Sequence, residues 1–223
     1  MTETLSPPPD AEDLDGPPGG PWTTAQWVAR QVRELQRQYL PPDQTPWSRA
    51  ALAELRRSLG RPLGSSPTVL ALVVNPSATY RGDDETADER AIATALGLYA
   101  THQQSQSAPM HVPATSFGTA VGRIRFNGKD EVRGVTRRFH AFGTAQSWGE
   151  LVHHARGLVQ LLRDEQQGFD YGRFAHDLAQ FQHPHLQDAV RLRWGRDFYR
   201  VTAAPADPSA PTAATVTPTA EEQ

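Results

Sequence analysis

Twenty-one arginines and a single lysine, Lys129, supply the permanent positive charge of this chain, and many stand at helical spacing. Arg193, Arg196 and Arg200 are three and four residues apart, and Arg133 and Arg137 are four apart with Arg138 adjacent. Arg49 and Arg56 are seven apart with Arg57 beside them, and Arg123 and Arg125 run toward Lys129. On a helix such spacings bring guanidinium groups onto one face. A planar guanidinium binds phosphate bidentately and stacks on bases, so clusters of this kind suit a nucleic-acid backbone and carry no base readout. The competing account is a set of solvated faces, with arginine favoured by the codon usage of a GC-rich genome. The excess of arginine fits that account; its placement is the signal. Composition alone leaves backbone binding and solvated faces nearly even.

The other residues that could do chemistry are eight histidines. His153 and His154 are neighbours, so on a helix they point about 100° apart and share a metal poorly. His183 and His185 flank Pro184 with no second pair at ligand spacing. His176-Asp177 is the dipeptide of metal-dependent phosphohydrolases, a two-residue match that carries little. The sequence holds no phosphate-binding glycine loop, no zinc-protease pair and no nucleophile elbow. Surface and capping roles are therefore expected for the histidines. Neither an active site nor a cofactor or metal is expected, and the chain reads as a binding protein and not an enzyme.

Charge is unevenly spread. Residues 1–20 carry five acids and no base, and residues 202–223 carry three acids and no base. Without them the formal charge of −3 becomes +5, and it reaches +10 once the acidic run 83–89 is also set aside. There is no cysteine, which fits a reducing, cytoplasmic setting. No apolar run approaches the roughly 20 residues of a membrane span, so no membrane partner is expected.

The elements that must position these residues read as helices throughout. Thr23 with Gln26 forms a capping box ahead of Trp27, Val28, Val32, Leu35 and Tyr39. Thr45-Pro46 opens a second helix with Leu52, Leu55 and Leu59 inward. Residues 68–74, TVLALVV, have strand composition but no strand to pair with, so they are assigned to helix. Asp88 and Glu89 fall in the first turn of the next helix, a better account of the acidic run than metal binding. A short helix ends at Arg123 and Arg125, and another runs from Lys129 to Phe142 with Val132, Val135, Phe139 and Phe142 inward. Ser147 with Glu150 is a second capping box, and Asp170 caps a helix carrying Phe174, Leu178 and Phe181. The last helix, from Pro184, turns Leu186, Val190, Trp194, Phe198 and Val201 to the core. Leu192 and Tyr199 lie nearly opposite, which predicts packing on both flanks, and Asp197 is expected to pair with Arg193 or Arg200.

The fold class is therefore all-α, about seven to nine helices in two small bundles. The expected divisions are a disordered acidic tail over 1–21, one bundle over 22–103, a polar linker over 104–114, a second bundle over 115–201 and a disordered tail over 202–223. Neither tail has apolar periodicity, so neither is expected to order on its own.

Six blocks in order carry a resemblance: RAALAELRR (49–57), ALGLYATHQ (95–103), EVRGVTRRFHAF (131–142), GELVHHARGLVQLLR (149–163), FDYGRFAHDL (169–178) and VRLRWGRDFYR (190–200). Together they resemble the CasB family, the small subunit of the type I-E CRISPR surveillance complex Cascade, over roughly residues 22–201. TSFGTAVGRI departs from the pattern, with Phe117 where a leucine is expected and its arginine, Arg123, farther from Val121 than expected. The resemblance implies a non-catalytic helical subunit, present in two copies beside the backbone, large and guide-processing subunits. Its implied partners are the guide RNA, the target DNA and the displaced strand of the R-loop, in antiviral defence. Against this stand two weaker readings, a free-standing helical DNA-binding regulator and a metal phosphohydrolase resting on His176-Asp177.

Overall fold

The computed structural model describes residues 21–80, 82–126 and 131–202. Among these, nine α-helices and no strand are present: α1 Thr24–Tyr39, α2 Pro46–Ser58, α3 Pro67–Val73, α4 Ala87–His102, α5 Phe117–Ile124, α6 Glu131–Gly143, α7 Trp148–Asp164, α8 Tyr171–Phe181 and α9 Gln187–Arg200. The all-α reading holds, including α3, whose strand-like composition is overridden by its cap and its context. Ser66 caps α3 and Pro67 opens it. Val69, Leu72 and Val73 are buried.

The helix starts follow the sequence closely. Thr23 and Gln26 exchange side-chain bonds with each other's backbone N–H, as a capping box requires. Thr86 and Glu89 form another at the start of α4, with Asp88 beside them in the first turn. Asp170 accepts from the Arg173 N–H at 3.0 Å. The expected box at Ser147 is only half made. Ser147 accepts from the Glu150 N–H, but the Glu150 carboxylate reaches past it to the Gln146 N–H at 2.8 Å.

Three close helix contacts depend on missing side chains. A Cβ at Gly118 would lie 2.5 Å from the Trp194 carbonyl oxygen, and one at Gly122 would lie 2.7 Å from that of Phe198. The GTAVG run thus lets α5 lie directly on the backbone of α9. Gly172 does the same for α8 against α1, where a Cβ would meet the Ala25 oxygen at 2.6 Å. α8 packs against α1, α4 and α9, so it bridges helices from both sides of the 104–114 segment. That segment is tied down by buried Gln103, which accepts from the Met110 N–H at 3.0 Å and donates to Ala108 at 2.9 Å. One continuous hydrophobic core runs through helices on either side of it.

An aromatic cluster fills the middle of this core. Phe169 stacks on Tyr171 at 4.1 Å and packs edge-on to Phe117 at 5.1 Å. Two histidines belong to it, contrary to the expectation of surface or capping roles. His102 is fully buried, with Nδ1 2.9 Å from the Tyr171 hydroxyl. His111 is buried as well, and its Nδ1 accepts the Tyr171 N–H at 3.2 Å. Imidazole offers a flat apolar face and a polar edge, which suits a site that needs both packing and a backbone partner.

Burial disfavours the charged ring, holding His102 at a pKa of about 3 and His111 at about 4. In the unfolded chain both titrate near 6.5. The folded state binds fewer protons below that value, so stability is complete above about pH 6.5 and falls as pH drops toward the folded values. At about pH 5 the loss should be on the order of 2 kcal/mol per histidine. Thermal melts across this range should show the decline, and a His102→Gln variant should flatten it. An unchanged slope in that variant would place the acid sensitivity elsewhere.

Candidate nucleic-acid interface

The structure sorts eleven of the twelve cations named from the sequence by what their head groups touch. Arg193 is mostly enclosed; its Nη2 bonds Asp177 at 2.7 Å and Gln180 at 2.6 Å. The second oxygen of Asp177 accepts the Trp194 indole N–H at 2.8 Å. Asp177 is therefore committed on both oxygens to α9, a structural use that leaves His176-Asp177 no free carboxylate for a metal. Arg193 is not the partner of Asp197, as the helix spacing suggested. Asp197 pairs instead with Arg173 of α8 at 3.3 Å. Helical spacing ranks only the neighbours on α9 and cannot see α8 packed across from it.

Arg125 is also internal. It is 9% exposed, donates to the Val201 carbonyl at 2.6 Å and lies over the rings of Phe126 and Phe198 at 4.4 and 4.6 Å. It fastens the end of α9 to the end of α5, so its expected place on an exposed basic face is corrected. Arg56 is half-buried and donates to the Ala100 carbonyl at 3.2 Å, joining α2 to α4. Arg57 is exposed but paired with Glu54, and Arg49 is exposed and bonded to Gln44 at 2.8 Å. Lys129 lies outside the described residues.

The remaining six are different. Arg123, Arg133, Arg137, Arg138, Arg196 and Arg200 are exposed, with no ion-pair or hydrogen-bond partner among the described residues. Arg133, Arg137 and Arg138 lie on α6, and Arg196 and Arg200 on α9. The two helices are locked together where Phe139 stacks on Phe198, with centroids 4.0 Å apart and planes 8° from parallel. Two clusters that are separate in the sequence thus sit on adjacent helices. The α2 cluster belongs elsewhere, since α2 packs on α1, α3 and α4. Unpaired guanidinium groups on a rigid support can accept phosphate without first giving up an internal partner.

Comparison with known proteins identifies the family and the fold. The family model described as CRISPR-associated protein Cse2 matches residues 51–199. The chain belongs to the Cse2 family. It is also similar to the crystal structure of CasB from Thermobifida fusca, at 31% identity and a TM-score of 0.67, covering 81% of this chain and 99% of that one. CasB from M. ruber shares the fold at 21% identity and a TM-score of 0.56, covering 80% of this chain and 93% of that one. A chain of a structure titled "CRISPR RNA-guided surveillance complex" does so at 23% identity and 0.57, covering 80% and 94%. No curated protein matches.

For this Cse2 chain the split between internal and exposed arginines can be tested through stability. Asp177→Ala removes a 5% exposed carboxylate and leaves Arg193 and the Trp194 indole without their acceptor. Breaking such a buried pair costs about 3–5 kcal/mol. Asp197→Ala, at a more accessible pair, should cost about 1–2 kcal/mol. Urea denaturation of both variants gives the comparison, and equal losses would show that the Asp177 cluster is not the stronger tie.

Proposed function

We propose that this Cse2 protein is the non-catalytic small subunit of a type I-E Cascade complex. Its α6 and α9 arginines hold nucleic-acid backbone beside the guide RNA and its target. The observation that carries the reading is the set of five exposed arginines on two adjacent helices with no partner among the described residues, where most other described arginines are engaged. Family membership supports the setting, and so does the shared fold with a chain of an RNA-guided surveillance complex. In that setting the partners are the other Cascade subunits, a second copy of the chain, the guide RNA, the target DNA and the displaced strand, in the cytoplasm. No described helix is long and apolar enough to cross a membrane.

Exchanging a DNA duplex for an RNA–DNA heteroduplex is nearly balanced in free energy, so modest contacts can decide how long the open state lasts. Phosphate contacts supply such a bias without reading sequence. The guide therefore keeps the task of selection, and the subunit adds lifetime.

Replacing Arg133, Arg137 and Arg138 together by alanine should leave folding and assembly intact, because all three are exposed. R-loop lifetime in the assembled complex should shorten roughly tenfold, with guide-sequence preference unchanged. The slope of log K against log salt should become shallower by about 0.7–0.9 for each phosphate that the variant no longer neutralises. The control is a triple replacement of Arg30, Arg33 and Arg37 on α1. There Arg37 is already paired with Glu34, and Arg30 lies over Trp22 at 5.0 Å. Equal losses from both variants would attribute the effect to overall charge and not to this face.

A further inference from the structure

The basic faces of α6 and α9 meet at an aromatic ring. Arg133, Arg137 and His140 stand at positions i, i+4 and i+7 of α6, one stripe of that helix. Leu192, Arg196 and Tyr199 repeat the same spacing on α9. The stripes join where the Tyr199 hydroxyl lies 2.5 Å from Nε2 of His140. Tyr199 is 55% exposed, the most exposed of the large apolar side chains among the described residues. Helical spacing predicts packing on this flank, but the described residues touch the ring only at its hydroxyl and along one side, and more than half of it stays exposed.

We propose that Tyr199 is a stacking platform for an unpaired base of a single-stranded nucleic acid whose phosphates are held by Arg137 and Arg196, a reading that rests on the function proposed above. The ring is held in place: Phe198 meets it edge-on at 4.9 Å and 87°, and the Arg125 guanidinium lies 5.7 Å from its centre. An aromatic ring anchored at its hydroxyl and along one side loses little further freedom when a base settles on it. Stacking on a π-face also tolerates any base, in keeping with contacts that read no sequence.

Charge argues for nucleic acid over a protein partner. From Leu192 to Tyr199 and from Arg133 to His140 the joined stripe carries no carboxylate; Asp188, one turn before Leu192, is paired with Arg191, and Asp197 is turned inward to Arg173. A protein docking here through Leu192 and Tyr199 would have to desolvate unpaired arginines. A polyanion with exposed bases satisfies both parts of the surface.

The test is fluorescence anisotropy of the full-length chain at low salt, with a labelled oligothymidylate, an abasic strand of the same length and a duplex. Tyr199→Ala should bind the base-bearing strand roughly tenfold more weakly and leave the abasic strand and duplex unchanged. Tyr199→Phe should retain most of the affinity. Tyr199→Leu, which keeps apolar cover without a π-face, should behave like the alanine variant even if that variant melts early. Equal loss on the abasic strand would overturn stacking. An unaffected Tyr199→Ala beside a weakened Arg133, Arg137 and Arg138 triple would also overturn it while leaving backbone contact standing. Binding unchanged in both would overturn the two readings together. A shift in oligomeric state of Tyr199→Ala with nucleic-acid affinity intact would make the ring a protein contact instead.

Discussion

A carboxylate shut away from water must be held by hydrogen bonds and opposite charge, and Asp177 is the point where this molecule meets that demand. Burial pushes its pKa up from the usual carboxylate range, while the Arg193 guanidinium and the Trp194 indole N–H act in the opposite sense. Both oxygens of Asp177 are taken by α9, one by Nε and Nη2 of Arg193 and the other by the Trp194 indole, so the cluster ties α9 to α8 in one register. Trp194 is then seated between Phe142 at 4.5 Å and Phe181 at 5.8 Å. Phe198, one turn on, is brought onto Phe139. The same register places the Trp194 and Phe198 backbone under Gly118 and Gly122, which lets α5 close over α9. One buried hydrogen-bonded charge thus aligns four helices.

Much of this is legible in the sequence because it follows local periodicity. The capping residues, the inward stripe of α9 and the helical character of α3 depend on spacing and on neighbours a few positions away. Asp197 shows where that reasoning stops. Spacing offers Arg193 and Arg200 as partners, yet its partner is Arg173, 24 positions distant and near only through packing. His102 and His111 show the same limit. Each is unremarkable in sequence, and only the meeting of α4, α8 and the segment between them makes either one a core residue. Tyr199 departs in the other direction. Its distance from the apolar stripe implies a second packed flank, but the described residues reach only its hydroxyl and one side and leave the ring 55% exposed.

Arginine is the hardest residue to read, since one side chain can serve as an internal tie or as a free cation. Arg125 and Arg193 close gaps between helices, and their donors are turned to a carbonyl and a carboxylate. Arg133, Arg137, Arg138 and Arg196 have the same composition and similar spacing but no acceptor nearby among the described residues. The difference lies in the opposing element: α8 presents Asp177 to Arg193, whereas nothing described is packed over the outer face of α6. A sequence containing twenty-one arginines cannot separate these cases by count or by pattern.

The proposed role gives this division a physical purpose. Long, flexible cations on a mobile support would lose entropy on meeting phosphate and gain little from it. Here the internal arginines and the Phe139–Phe198 stack hold the two outer helices in one relative position. The free guanidinium groups then search only their own side-chain torsions. Tyr199, held through its hydroxyl, adds a flat surface that needs no rearrangement. In a nearly balanced exchange of strands, preorganisation of this kind matters more than the number of contacts. On the proposed reading it would lengthen the life of the open state and leave the choice of sequence to base pairing.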